Sequence, residues 1–308
     1  MSKVHVDNPL QSYAMMYPLK VPERLPTHVQ LIEFFSKVLP PHPQDIPLQY
    51  HVPRWSGYDP NAAPVRDVVL SITPTPGVYE KLDQLAKGRR KAVCFLHRPF
   101  QLGRGMLPRG SLVLANHKRF DELLTTGYNT ALASRLGMVL DQAVCIQGYK
   151  GDPERRIGIV CPLSTDQTVS SLQIAIVAEM GIADVYESTG GSSQPIQAVA
   201  IMNAFGPDEV ARAIAAAEEA GLVQAGDASG LLYLTGQPRE PGLQAAREAH
   251  MPIVCVGHRP AEEWGVRFLA ELLQQSFAGL VVHVVMEDEI PVPKKSTPRT
   301  SLLDTAAV

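Results

Sequence analysis

Three short segments carry most of the residues able to do chemistry. Each stands directly after an apolar run of strand type: His97 after 92–96, Asn116-His-Lys-Arg-Phe-Asp121 after 111–115, and Gly257-His-Arg-Pro-Ala-Glu262 after 253–256. In two of them a histidine precedes a carboxylate by four residues, His117 before Asp121 and His258 before Glu262. At the opening of a helix that interval puts both side chains on one face, where imidazole and carboxylate can hold a divalent ion. Either interval alone is frequent by chance, and Asp121 and Glu262 fit equally well as first-turn carboxylates that favour the helix dipole. Ligands of open α/β sheets bind beyond the carboxyl ends of strands, so segments far apart in sequence can converge there.

The elements that must position these residues follow from periodicity. Thr27 and Gln30 have capping-box spacing before apolar residues at helical intervals, which predicts a helix over 28–38. Prolines at 40, 41, 43, 47 and 53 then predict an extended loop over 39–64. Beyond it, β-branched runs predict strands at 65–72, 92–96, 111–115, 143–147, 156–160, 182–187, 196–202, 231–234, 253–256 and 280–286. Helical patterns fall at 76–87, 121–136, 169–180, 207–220, 239–250 and 262–275, several closed by glycine. Strands alternating with helices make an α/β protein with mixed sheets flanked by helices. A flexible arm is expected over 1–26, a loop tip over 188–194 and a disordered tail over 291–308.

Composition narrows the function classes. With 28 Lys+Arg against 31 Asp+Glu the net charge is -3, so no broad basic field exists for direct nucleic acid binding. No run of 18 apolar residues occurs, so no membrane span is expected, and the N-terminus has no secretory apolar region. The four cysteines, Cys94, Cys145, Cys161 and Cys255, lie singly in apolar runs, as reduced buried thiols do, so a cytoplasmic protein is expected. Phosphate-loop, dinucleotide and nucleophile-elbow motifs are missing from the sequence. Arg98, Arg104 and Arg109 form a local basic stretch beside His97 that could receive a substrate phosphate or carboxylate.

Leu234-Thr-Gly-Gln-Pro-Arg-Glu, an Ala-rich helix, and then Gly257-His-Arg-Pro-Ala-Glu-Glu-Trp-Gly-Val closely resemble the C-terminal signature of the Nif-three-like family (NGG-one-interacting factor three-like, also called GTP cyclohydrolase I type 2 homologues). Phe95-Leu-His-Arg-Pro-Phe resembles the family's His-His-Pro strand end, and Asn116-His-Lys-Arg-Phe-Asp resembles its His-Thr-x-x-Asp segment. The resemblance spans roughly residues 28 to 290. It implies two similar α/β halves, over 27–150 and 207–290 with 151–206 as a connecting extension, and a two-metal centre of histidines and carboxylates between them. It also implies a homo-oligomer, a hexamer or dimer, a transcription-related partner and thus a nuclear location beside the cytoplasmic one. His97, Asp121, His258 and Glu262 match the family's metal ligands, for zinc, iron or manganese, and His117 matches the first residue of the His-Thr-x-x-Asp segment.

The departures shape the expected chemistry. The paired histidine is broken, since His97 has Leu96 on one side and Arg98 on the other, while Gln237 and Pro241 replace the family's usual Glu and frequent His. A guanidinium at Arg98, if it points inward, opposes a second ion, so one metal per chain is expected rather than two. Such a centre suits hydrolysis of a small, nucleotide-like or heterocyclic substrate, with His117 as general base or orienter. The alternative is a binding or regulatory protein with a partly degraded site.

Overall fold

The computed structural model of the chain describes residues 25–88, 92–181, 183 and 185–288. The tail expected at 291–308, and the arm expected at 1–26 except for its last two residues, lie outside the described residues.

Helix α1 (His28–Val38) opens as its sequence predicts, with both halves of the capping box formed between Thr27 and Gln30. The proline loop after it contains a short strand, β1 (Gln49–His51), that the sequence does not announce. Strands β2 (Asp67–Ser71), β3 (Ala92–Leu96) and β4 (Leu112–Ala115) run parallel, with helix α2 (Pro76–Lys87) crossing between β2 and β3. Strand β1 adds antiparallel to β4 at one edge. The last strand, β11 (Val281–Val284), adds parallel to β2 at the other, giving the order β1-β4-β3-β2-β11. Strand β11, expected with the C-terminal half, thus completes the first sheet.

The second sheet has the order β5-β6-β8-β9-β10-β7. It comprises β5 (Val144–Tyr149), β6 (Asp152–Thr168), β7 (Val185–Glu187), β8 (Pro195–Met202), β9 (Leu231–Thr235) and β10 (Ile253–Cys255). Strands β8, β9 and β10 are parallel and the others pair antiparallel. The segment 151–206, expected as a connecting extension, supplies three of these strands, because its β-branched runs pair directly with β5, β9 and β10.

Both faces of the central strands are covered, which is why every residue of β2, β3, β4, β9 and β10 is buried and none of these strands alternates apolar with polar. Helix α2 closes one face of the first sheet, with Val78 and Leu82 against Cys94, Leu96 and Val113. Helices α6 (Pro207–Glu219) and α7 (Glu240–Glu248) cover one face of the second. Between the sheets lies the largest core cluster, in which Phe95 and Leu114 of the first sheet and Val199 and Leu232 of the second join α1, helix α5 (Val169–Met180) and helix α8 (His258–Ser276).

Two helix boundaries differ from expectation, and both lie at the site. The helix expected over 121–136 is two helices, α3 (Lys118–Leu124) and α4 (Thr130–Arg135); Asn129 Oδ1 accepts the Leu132 N–H and so starts the second one afresh. Helix α8 starts at His258 rather than Glu262, because Gly257, at φ 88°, turns the chain sharply out of β10.

Candidate metal centre

Strand β3 delivers His97 and Arg98. Their N–H groups donate to the carbonyls of Ser71 (3.2 Å) and Ile72 (2.7 Å), which continues the β2–β3 pairing past the strand end and fixes both residues. The His97 side chain is fully buried, and its ring lies on Phe120 with centroids 4.2 Å apart. Its Nδ1 donates to the Asn116 carbonyl at 3.2 Å. That bond turns Nε2 toward two carboxylates, Asp121 Oδ1 at 3.2 Å and Glu262 Oε1 at 3.1 Å.

Helix α3 delivers His117 and Asp121 from its opening turn. The helix-opening N–H groups of His117 and Lys118 donate to Asp45 Oδ2 at 3.2 and 2.8 Å, and the Phe120 N–H donates to Asn116 Oδ1 at 2.9 Å. Buried His117 Nδ1 has no hydrogen-bond partner and stands 4.0 Å from Asp121 Oδ2. Among the described residues, His97, His117 and Asp121 each offer one ligand atom, and the three atoms lie within 4.8 Å of one another. Phe100, 57% exposed, meets the His117 ring edge-on at 5.3 Å.

Helix α8 delivers His258 and Glu262. Glu262 is 1% exposed; its Oε1 faces both His97 Nε2 and His258 Nε2, the latter at 3.2 Å, while its Oε2 accepts from the Arg98 guanidinium at 3.1 Å. Glu262 thus links His97 to His258, Asp121 reaches the same His97 nitrogen, and Arg98 points inward at Glu262. Arg104, in a one-turn 3-10 helix, donates to the Tyr50 carbonyl at 3.3 Å and lies over the Tyr50 ring.

Charge follows from this packing. Burial alone would lower the pKa of His97, but its hydrogen bonds to Asp121 and Glu262, and their charges, raise it to about 9. Burial pushes the Asp121 and Glu262 carboxyls up, yet contacts with His97, and with His258 for Glu262, hold both below the usual carboxylate range. The hydrogen bond to Glu262 raises His258. His117 is lowered by burial, which with the neighbouring His97 and Arg98 charges outweighs the opposing Asp121 and Asp45 charges, so it is mostly neutral at pH 7.

The cluster of His97, His117 and Asp121 could hold a metal ion. Metal–ligand bonds of about 2.0–2.2 Å place neighbouring donor atoms about 3 Å apart. The 3.2 and 3.1 Å separations of His97 Nε2 from its two carboxylate oxygens are of that order. The unpartnered His117 Nδ1 is a further donor looking for an acceptor or an ion. A proton on His97 Nε2 and a cation compete for the same position.

The Duf34/NIF3 (NGG1p interacting factor 3) family model matches residues 104–293, more than half of the chain. The chain belongs to the DUF34/NIF3 family. His117, Asp121, His258 and Glu262 lie inside the matched stretch, while His97 and Arg98 precede it. No curated protein matches the sequence. Solved structures of the same fold include protein ybgI, of unknown function, at 18% identity and TM-score 0.57, covering 87% of this chain and 100% of that one. TTHA1606 from Thermus thermophilus is 16% identical, with TM-score 0.55 and coverage of 86% and 99%. A Bacillus cereus protein related to NIF3 is 13% identical, with TM-score 0.53 and coverage of 88% and 99%. Within this DUF34/NIF3 chain, Pro241 stands in the first turn of α7, where its missing N–H costs no bond, and Gln237 is exposed just beyond β9.

Two contributors escaped the sequence reading. Asp45 lies in the proline loop 72 residues before His117, and no spacing links them. Asn116 sits inside a segment already singled out, but only the fold reveals that its carbonyl orients His97.

Proposed function

We propose that this DUF34/NIF3 chain binds one divalent ion through His97, Asp121, Glu262 and His258 and uses it to hydrolyse a small-molecule substrate. The convergence of His97 Nε2, Asp121 Oδ1 and Glu262 Oε1 carries this reading. When bound, zinc, iron or manganese would supply Lewis acidity and so favour attack by water at neutral pH. The chain's own groups do the rest. Asn116 holds the His97 tautomer, Asp45 holds the start of α3, and Phe120 shields His97 from solvent. His117, neutral at pH 7, has its Nδ1 beside Asp121 and takes up the proton of the reacting water there.

A second reading, a non-catalytic regulatory protein, is favoured by the Arg98–Glu262 bond, which draws on a carboxylate the ion also needs. Thermal shift with and without chelator, zinc, manganese or iron separates the two. A metal-dependent rise in Tm that vanishes in H258A and H97A supports the centre. A protein indifferent to all three metals is not the proposed hydrolase.

A further inference from the structure

Glu262 is the hinge of the site because its two oxygens face different cations. Oε1 looks toward His97 and His258, whereas Oε2 takes the Arg98 guanidinium at 3.1 Å. A buried carboxylate with both lobes engaged resembles the bridging carboxylate of a two-ion site, where cations stand about 3.5–4 Å apart. Here one of the two positions is filled by a side chain. Its position is fixed: the Arg98 N–H is bonded to the Ile72 carbonyl beyond β3, and the Arg98 side chain is three-quarters buried, at 26% exposure.

We infer that Arg98 is a built-in second cation of this site, which excludes a second metal ion from Glu262 and selects an anionic group on the ligand. The inference rests on the one-ion reading above. Charge counting supports it. Among these groups, one divalent ion and Arg98 bring three positive charges against the two negative charges of Asp121 and Glu262, a sum of about +1 with the ligating His97 and His258 and the neighbouring His117 all unprotonated. A second divalent ion would take it to about +3, with like charges a few Å apart in a partly dry setting. A single negative charge on the ligand balances the first arrangement, and a phosphate or carboxylate oxygen between ion and guanidinium has partners on both sides. Permanent protonation distinguishes this device from a histidine at the same position, since arginine never gives up its charge to admit a metal.

Two variants test it. In R98H an imidazole ligand replaces the cation, and metal content after equilibrium dialysis should rise from one ion per chain to two. In R98M the cation is removed without supplying a ligand; one ion should remain, and calorimetric affinity of the manganese-loaded protein for inorganic phosphate should fall at least tenfold. Circular dichroism and Tm establish that both variants fold. Two ions in the unaltered protein, one ion in R98H, or unchanged phosphate affinity in R98M would each overturn the inference. If the unaltered protein binds no ion at all, the metal reading itself fails, which is a different result.

Discussion

Nε2 of His97, at the end of β3, and Oε1 of Glu262, in the first turns of α8, stand 3.1 Å apart across 165 residues of sequence. This contact joins the first sheet to the helix that follows the second, and both partners are buried. Removing the imidazole leaves Asp121 and Glu262 as two carboxylates facing one another without the cation between them. H97A should therefore cost about 3–5 kcal/mol of unfolding free energy even in chelator. Urea denaturation checks this; a loss below about 1 kcal/mol would show that the buried cluster does not hold the sheet to the helix.

The pH dependence has a definite sign. The folded-state pKa of His97 is about 9, above its ordinary 6.5, so its contribution to stability is whole below about pH 6.5 and is lost as pH rises through 9. The ion needs Nε2 without its proton, so metal affinity should climb over the same window. In thermal scans, the chelated protein should lose Tm from pH 6.5 to 9 while the metal-induced gain in Tm grows. A metal-induced gain that shrinks across this range would contradict the assignment of His97 Nε2 as a donor.

Helices α3 and α8 carry the two carboxylates, and Gly265 sets how closely they approach. A Cβ at this position would stand 2.5 Å from the Leu124 carbonyl oxygen and 2.8 Å from the Phe120 ring. G265A should cost about 1–3 kcal/mol by overpacking. It should also weaken metal binding, because Asp121 and Glu262 are pushed apart. Stability loss with unchanged metal affinity would mean that the helix spacing does not govern the site.

Asp45 caps α3 from the proline loop. D45A should lower stability by about 1 kcal/mol, the usual worth of an N-terminal cap. The loss should be absent in D45N, whose side-chain oxygen still accepts. Equal losses in the two variants would point to charge rather than to the caps on His117 and Lys118.

His117 tests the division of labour. As a proton acceptor it is dispensable for the ion, so H117A should keep one metal per chain and lose turnover by about 10²–10⁴-fold. Its ligand atom also lies within 4.8 Å of those of His97 and Asp121, so loss of the ion in H117A would assign it to the ligand set instead.

Much of the frame was legible in sequence because burial writes itself as periodicity. The runs at β3 and β8, the capping box of α1 and the glycine stop after α5 all identify their elements. What failed was set by partners distant in sequence. Strand β11 looks like any apolar run, and only its pairing with β2 assigns it to the first sheet. Strand β1 was hidden among prolines, since its pairing with β4 is brief and at an edge. At the site, the four-residue spacing exposed His117 with Asp121 and His258 with Glu262, and position after a strand exposed His97. The direction of Arg98 was open, because a residue just past a strand can face inward or outward. The Ile72 carbonyl and Glu262 decide it.

Metal content tests the account most directly. The unaltered protein and H97A should be dialysed against buffered zinc or manganese and analysed for ions per chain, with folding checked by circular dichroism. One ion per chain in the unaltered protein and none in folded H97A is the predicted result. No ion in the unaltered protein, or equal occupancy in the two, would contradict the assignment of His97, Asp121 and Glu262 as the centre.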